Sequence, residues 1–163
     1  MYRLILVPLL LLAVAANADV IYRSSEEVTP AAYIGYDGEG ILVEFSTPAI
    51  TAETQNVNEF GQGTIMRIPG EGMGMPVGCP DLPVIRRMVL IPNTGDVSIE
   101  VVSSDVTPLG IYDIPPFQDY PLRSGEPRPY SINDRIYSSS EFYPSQPVVL
   151  DRISILRDIR VAW

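Results

Sequence analysis

The side chains best suited to covalent catalysis or metal binding are scarce in this chain. Cys79 is the single cysteine, and there is no histidine. Ser/His/Asp and Cys/His sites need imidazole as the base near neutral pH, and zinc sites need three or four N/S ligands. We therefore expect no catalytic residue, no metal site and no cofactor. Cys79 is expected to be a small buried hydrophobe; the alternative is a reactive thiol, or one offered to a partner's metal.

The charge of the chain narrows the range of partners. The formal net charge is −9, and all 11 basic residues are arginine. An acidic surface repels phosphate backbones, so nucleic-acid binding is not expected. The acidity favours solubility, and attraction to a basic protein surface is the alternative.

The first 18 residues resemble a signal peptide. Arg3 precedes an apolar run over residues 4–16, and Ala16-Asn17-Ala18 has the small-x-small form of a signal-peptidase site. We predict cleavage between Ala18 and Asp19, which implies a secreted or cell-surface protein. The run is too short to span a bilayer, so no membrane attachment is expected after cleavage. Residues 19–163 then amount to one domain, large enough to build its own core.

Proline sets the predicted secondary structure. Sixteen prolines are about twice the usual share and leave room mainly for short strands with alternating apolar residues. The predicted strands cover residues 41–45, 64–68, 86–91, 97–103 and 109–114. Residues 86–91 should be buried on both faces and form a hairpin with 97–103 through a turn at 93–96. The fold class is all-β: a single immunoglobulin-like or sandwich-type antiparallel domain.

The last part of the chain combines a long loop with a final strand pattern. Residues 115–147 have no sustained apolar period, which indicates a long loop or a set of short edge strands. The aromatic residues in this stretch argue against disorder. Five apolar residues near the end are predicted to share one face, interrupted by Arg157: Ile153, Ile155, Ile159, Val161 and Trp163. Because no turn follows this pattern, we expect a domain truncated at its C-terminus.

Four segments in order carry a family resemblance. They are "GCPDLPVIRRMVLIP", "VSIEVVSSD", "YSSSEFYP" and "ISILRDIRV". The set resembles the N-terminal propeptide domain of gingipain-type (clan CD) secreted cysteine peptidases, over about residues 40–163 and most strongly from Gly78 onward. Cys79 falls at a variable position of the family pattern, so the resemblance assigns that thiol no role.

The resemblance implies a secreted precursor in which an all-β propeptide precedes a cysteine endopeptidase domain. The propeptide would act in cis as a chaperone and as an inhibitor that blocks the active-site cleft. Matching the family's exposed loop places Arg123 at the position that enters the specificity pocket, with Arg128 as the fallback. Phe117, Tyr120 and Tyr130 are candidates for the docking face, since aromatic residues often anchor interfaces.

A function of another class uses the same predicted strands. An adhesion or sorting β-sandwich of a bacterial surface protein would assign Arg123 no part. In both hypotheses residues 19–163 are not an enzyme, because the chain lacks a catalytic dyad. Arg86 and Arg87, at the start of a predicted strand, are expected to be structural, with their stems over the core and their charged ends in water.

Overall fold

The computed structural model describes residues 18–36, 40–119 and 129–163. It contains ten strands, one 3₁₀ turn at Asn58–Phe60 and one short helix, α1, at Asp134–Tyr137. The strands are β1 Asp19–Arg23, β2 Ala31–Tyr36, β3 Ile41–Phe45, β4 Ala49–Val57, β5 Gly61–Arg67, β6 Gly72–Met73, β7 Pro83–Val84, β8 Val89–Leu90, β9 Ile153–Leu156 and β10 Ile159–Ala162. Every strand pairing is antiparallel. The all-β prediction is confirmed, whereas the immunoglobulin-like or sandwich arrangement stays a prediction.

The first sheet has the order β1-β4-β5 and supplies much of the core. β4 and β5 pair continuously, from Thr51 opposite Arg67 to Val57 opposite Gly61. Ala52 lies opposite Met66, and both side chains are buried. Burying such apolar side chains stabilises the fold by roughly 25 cal/mol for each Å² removed from water. The predicted strand at 64–68 is confirmed as the end of β5, with Ile68 buried just beyond it.

The second sheet has the order β8-β10-β9. Its central strand, β10, carries Val161, which is only 1% exposed, and Ala162, which is also buried. Two smaller two-stranded sheets pair β2 with β3 and β6 with β7. The predicted strand at 41–45 is confirmed as β3.

The predicted hairpin between residues 86–91 and 97–103 is wrong. The strand in the first segment is only β8, and it pairs with β10, more than 60 residues away along the chain, rather than with 97–103. Arg160 of β10 donates hydrogen bonds to the carbonyls of Pro92 (3.0 Å) and Gly95 (2.8 Å). The strand that pairs with β8 therefore also holds the predicted turn at residues 93–96. Alternation predicts strand character, but it does not identify the strand's partner.

Two further predictions about this region are wrong. Residues 86–91 are not buried on both faces, since Met88 is 44% and Leu90 is 60% exposed. Residues 109–114 form no strand. Pro115 and Pro116 follow directly and have no N–H to donate, so a ladder cannot extend through them. The segment instead makes single contacts, such as the Thr64 N–H donating to the Asp113 carbonyl at 2.7 Å.

The apolar residues of β9 and β10 do not share one face, which corrects the prediction. β9 and β10 form a tight hairpin through Arg157 and Asp158, with Ile155 opposite Arg160 and Ser154 opposite Val161. Because opposed residues point to the same side of an antiparallel sheet, Ile153 and Ile155 lie on one face. Ile159, Val161 and, by alternation, Trp163 lie on the other; the Trp163 indole N–H donates to Ser154 Oγ at 3.1 Å. The prediction assumes that side chains alternate between the two faces without interruption from residue 153 to residue 163. The two-residue turn at Arg157 and Asp158 folds the chain back instead, so the two strands place their apolar residues on opposite faces.

Residues 1–17 lie outside the described residues, so the signal peptide stays a prediction. Ala18 comes just before β1, whose first residue, Asp19, pairs with Ala52. Cleavage between Ala18 and Asp19 would therefore leave β1 whole. Within the described ranges, no helix has the length and apolar character needed to cross a membrane.

The β9–β10 turn generates a stability prediction. Arg157 (φ 49°) and Asp158 (φ 67°) are both left-handed, a conformation that costs a non-glycine residue about 1–2 kcal/mol. Asp158→Gly should therefore raise the free energy of unfolding by about 1 kcal/mol, measured by urea denaturation. Asp105→Gly is the matched control, because Asp105 is exposed and does not have a positive φ. Equal effects of the two substitutions would contradict the assigned strain.

Candidate functional site

Three chain segments meet at Gly78 and Cys79. The Gly78 N–H donates to the Phe117 carbonyl, and the Phe117 N–H donates to the Cys79 carbonyl, both at 2.8 Å. On the other side, the Asn133 N–H donates to the Gly78 carbonyl at 2.8 Å. We call this set of four residues, Gly78, Cys79, Phe117 and Asn133, the anchor. It fixes the chain just before and just after the segment 119–130, which holds the predicted inhibitory arginine.

Gly78 is needed at the anchor for two reasons. Its φ is +82°, a left-handed conformation that favours glycine. A Cβ at this position would also lie 3.2 Å from Ser131 Oγ and 3.3 Å from the Asn133 nitrogen. The close approach of the returning chain therefore depends on the absence of a side chain here.

Gln118 closes the base of the 119–130 segment. Its Nε2 donates to the Ser131 carbonyl at 2.7 Å, and its Oε1 accepts from the Ser131 N–H at 2.9 Å. Nε2 also donates to the Pro116 carbonyl at 3.2 Å. The amide thus pairs with Ser131 in the way a neighbouring strand would, and it holds the two ends of the segment together.

Cys79 lies in the interior, which confirms its predicted burial. It is 5% exposed, and Asn133 Nδ2 lies 3.8 Å from its Sγ. Pro80 and Pro116 form a β-bridge directly after the anchor, and the Asp81 N–H donates to the Pro115 carbonyl at 2.9 Å. The thiol is therefore part of the packing around the anchor.

Two tyrosines pack near this thiol. The Tyr137 hydroxyl donates to the Ile114 carbonyl at 2.9 Å, and its ring contacts that of Phe60, with centroids 6.3 Å apart. Burial raises the pKa of Tyr137. Burial, followed by a hydrogen bond with Cys79, raises the pKa of Tyr143 to about 12. Both phenols therefore stay protonated well above neutral pH.

Asp81 is the half-buried carboxylate of this region. Burial raises its pKa, with a smaller opposing effect from the positive charge of Arg67. Its Oδ1 is buried and has no hydrogen-bond partner in the part of the chain that the structure describes. A carboxylate in this setting opposes folding when ionised.

Arg87 has a structural role, as expected. It forms a two-bond ion pair with Glu71, with Nη1 2.8 Å from Oε2. The hydrogen bond from Arg87 holds the pKa of Glu71 below its usual value. This pair ties the segment before β8 to the turn before β6.

The predicted site residues are only partly described. Phe117 is half-buried, and its backbone belongs to the anchor. Tyr130 is also half-buried; its hydroxyl is buried and lacks a hydrogen-bond partner among the described residues, and burial raises its pKa. Tyr120, Arg123 and Arg128 lie outside the described residues. The docking and inhibitory roles of all five residues therefore stay predictions.

The sequence reading missed Gln118, Asn133 and Asp81. Gln118 stands in a proline-rich segment that was read as loop, where nothing in the residue pattern marks a pairing side chain. Asn133 offered a weak signal, because asparagine is a favoured residue just before the first turn of a helix. In the structure its Oδ1 caps α1 by accepting from the Ile136 N–H at 3.3 Å.

A comparison with protein families identifies the domain. The family Propeptide_C25 matches residues 42–163. The chain belongs to this family. The Propeptide_C25 domain therefore includes the anchor, both ends of the 119–130 segment and the second sheet. The matched family does not favour the adhesion or sorting alternative.

Individual relatives agree with this assignment. The propeptide is 33% identical over 85 residues to gingipain R1 of Porphyromonas gingivalis, which is 51% of this chain and 8% of that protein. A second gingipain R1, from a named strain of the same organism, matches equally over 5% of its length. The chain thus spans less than a tenth of these relatives.

A solved structure shares the fold. A structure described as giving insight into the zymogenic latency of gingipain K from Porphyromonas gingivalis matches with a TM-score of 0.63 and 19% identity. The match covers 90% of this chain and 83% of the other. Together with the family match, it supports a gingipain-type propeptide.

The Gln118 pairing predicts a measurable effect on the 119–130 segment. Gln118→Ala leaves the Ser131 N–H and carbonyl without these partners, which should cost about 1–3 kcal/mol of stability. Amide hydrogen exchange of residues 119–130 should become faster at the same time. Gln118→Glu keeps the acceptor but loses the donor, so an intermediate effect is expected. Unchanged exchange in Gln118→Ala would show that the pairing does not hold the segment's ends.

The buried phenols predict sensitivity to alkali. Because the folded-state pKa of Tyr143 is about 12, above the ordinary value of about 10, its contribution to stability is complete below pH 10. That contribution is lost as pH rises from about 10 towards 12. Tyr143→Phe should reduce the fall in melting temperature over this interval. Tyr33→Phe, at a tyrosine that is 66% exposed, is the control, and identical pH curves for the two variants would refute the assignment.

Proposed function

We propose that this propeptide belongs to a secreted gingipain-type cysteine endopeptidase precursor, where it assists folding of the catalytic domain and blocks the active site in cis. Signal cleavage between Ala18 and Asp19 would release the precursor from the cell. The family assignment supports the class of protein. The anchor and the Gln118–Ser131 pairing are the observations that support the mechanism.

The geometry at the base of the 119–130 segment favours presentation of a loop to a partner. Its two ends are held together by the 2.7 and 2.9 Å hydrogen bonds of Gln118 with Ser131. Fixing the ends before binding lowers the ordering entropy that association must overcome. A segment fixed in this way is suited to enter a cleft as a loop.

The residue proposed to enter the specificity pocket is Arg123, with Arg128 as the fallback. A guanidinium presents a planar fork of donors that matches a pocket carboxylate. One charge-assisted hydrogen bond contributes about 1.5–3 kcal/mol, whereas nanomolar affinity requires about 12 kcal/mol. Arg123 therefore directs the loop, and a wider docking face supplies most of the affinity.

The docking face is proposed to include Phe117, Tyr120 and Tyr130. Stable interfaces bury roughly 800 Å² on each partner. Phe117 and Tyr130 flank the two ends of the loop, so their exposed portions would contact the rim of the cleft that receives Arg123. The chain has neither histidine nor a second cysteine, which supports a non-catalytic role for the propeptide.

The role of Arg123 can be tested by inhibition. Residues 19–163 should inhibit the mature cognate peptidase, and Arg123→Ala should raise the inhibition constant about tenfold or more, corresponding to the loss of a charge-assisted hydrogen bond. Arg128→Ala is the matched control and should have a smaller effect. The measurement is the inhibition constant from substrate hydrolysis rates.

Each outcome decides one part of the proposal. If Arg128→Ala has the large effect, the pocket residue is the fallback. If neither substitution matters, inhibition does not use a basic loop residue. If residues 19–163 fail to inhibit, the proposed function is overturned.

A further inference from the structure

Two long stretches of the described chain have no main-chain partner. Within the described ranges, no backbone–backbone hydrogen bond involves residues 92–112 or 140–150. Most of their side chains are exposed, among them Val102 (76%), Val106 (87%) and Phe142 (93%). We call these two stretches the open segments. Because exposed loops are the preferred sites of proteolytic nicking, the open segments are where a peptidase would cut most easily.

The open segments contain no basic residue, although they are not poor in charge. They carry four carboxylates, at Asp96, Glu100, Asp105 and Glu141, and neither arginine nor lysine. The described ranges nevertheless contain eight arginines, all of them elsewhere: Arg23, Arg67, Arg86, Arg87, Arg135, Arg152, Arg157 and Arg160. A peptidase that cuts after arginine therefore finds no cleavable bond in either open segment.

The adjacent arginines between β7 and β8 are held by their side chains. Arg87 forms the two-bond ion pair with Glu71, and its Nη1 also donates to the Arg86 carbonyl at 2.9 Å. The Arg86 guanidinium lies over Gly74, where a Cβ would come within 2.9 Å of Nη2. Both side chains are thus occupied, and the carbonyl of the bond that follows Arg86 already accepts a hydrogen bond.

Three more arginines have occupied side chains. Arg67 Nη1 donates to the Met66 carbonyl at 2.8 Å, and Arg160 holds the turn after β8 through two carbonyls. The Arg152 guanidinium lies over the Trp163 ring, 5.3 Å from its centroid. The Arg152 carbonyl also accepts from the Trp163 N–H at 2.9 Å. Each of these side chains must leave its partners before it can enter a specificity pocket.

The conformation of the main chain protects the remaining three arginines. Arg23 is paired with Ala49 in the ladder between β1 and β4, and Arg135 lies in α1. Arg157 occupies the tight β9–β10 turn with a φ of 49°, which is far from the extended backbone of a strand. None of the three presents a free, extended stretch of chain.

We propose that this propeptide is built to withstand a peptidase that cuts after arginine: its open segments carry no basic residue, and its described arginines are protected by side-chain contacts or by folded main chain. The inference rests on the proposed function, in which a pocket that accepts Arg123 stays in contact with this domain. An accessible arginine elsewhere in the domain would end the inhibition. Cutting a protected arginine requires local opening, whose free energy lowers the rate of cleavage.

The first test is limited digestion of residues 19–163, with the cut sites identified by mass spectrometry. Trypsin has a pocket for basic side chains, whereas an elastase-type peptidase accepts small aliphatic ones. The elastase-type peptidase should cut the open segments at least tenfold faster than trypsin cuts after any of the eight described arginines. Equal rates would overturn the proposal, and so would open segments that resist both peptidases, because their composition would then protect nothing.

The second test uses a matched pair of variants. Val102→Arg places an arginine in an open segment, whereas Gln55→Arg places one at an exposed position of β4 that is paired with Gly63. Trypsin should cut Val102→Arg at the new site at least tenfold faster than it cuts Gln55→Arg at its new site. Equal rates of cleavage at the two sites would show that main-chain pairing does not protect arginine in this domain.

The cognate peptidase separates this inference from the proposed function. Unsubstituted residues 19–163 and Gln55→Arg should inhibit it lastingly, whereas inhibition by Val102→Arg should fade as the new site is cut. Lasting inhibition by Val102→Arg would refute the proposed protection and leave the inhibitory function standing. If the unsubstituted domain fails to inhibit, the proposed function is overturned, while the two trypsin tests still decide whether the arginines are protected.

Discussion

The structure depends on a main-chain meeting point at Gly78 and Cys79. The dipeptide donates to the Phe117 carbonyl and accepts from the Phe117 N–H, and on the other side the Gly78 carbonyl accepts from the Asn133 N–H. A single dipeptide therefore joins parts of the chain that are some 40 and 55 residues apart. Only glycine meets both requirements at position 78, a left-handed φ and room for the returning chain. The thiol of Cys79, next to it, is buried and packs at the same point.

The anchor also explains how a proline-rich chain keeps an ordered interior. Proline removes backbone donors and interrupts ladders, and five of the ten described strands have only two or four residues. Side chains take over part of the pairing. Gln118 substitutes for a strand, Arg160 holds the turn after β8, and Arg87 pairs with Glu71.

Local patterns in the sequence predicted where strands lie better than they predicted which strands pair with each other. The strands at 41–45 and 64–68 were recoverable because alternation and a closing proline or glycine are local signals. The pairing of β8 with β10 was not recoverable, because β10 lies far away in the sequence and the alternating segment 97–103 lies much nearer to β8. The faces of β9 and β10 were misassigned because Arg157-Asp158 is not an expected two-residue turn. For the candidate site, the family resemblance pointed to the 119–130 segment, but nothing local indicated that Gln118 closes its base.

The closure by Gln118 has a consequence for a peptidase that cuts after arginine. If the peptide bond following Arg123 were hydrolysed, the two new ends would still be tethered, one through Gln118 and the anchor, the other through Ser131 and Asn133. The nicked polypeptide would therefore stay attached to the domain on both sides of the cut. Under the proposed function, release of the peptidase would then require a cut outside residues 118–131.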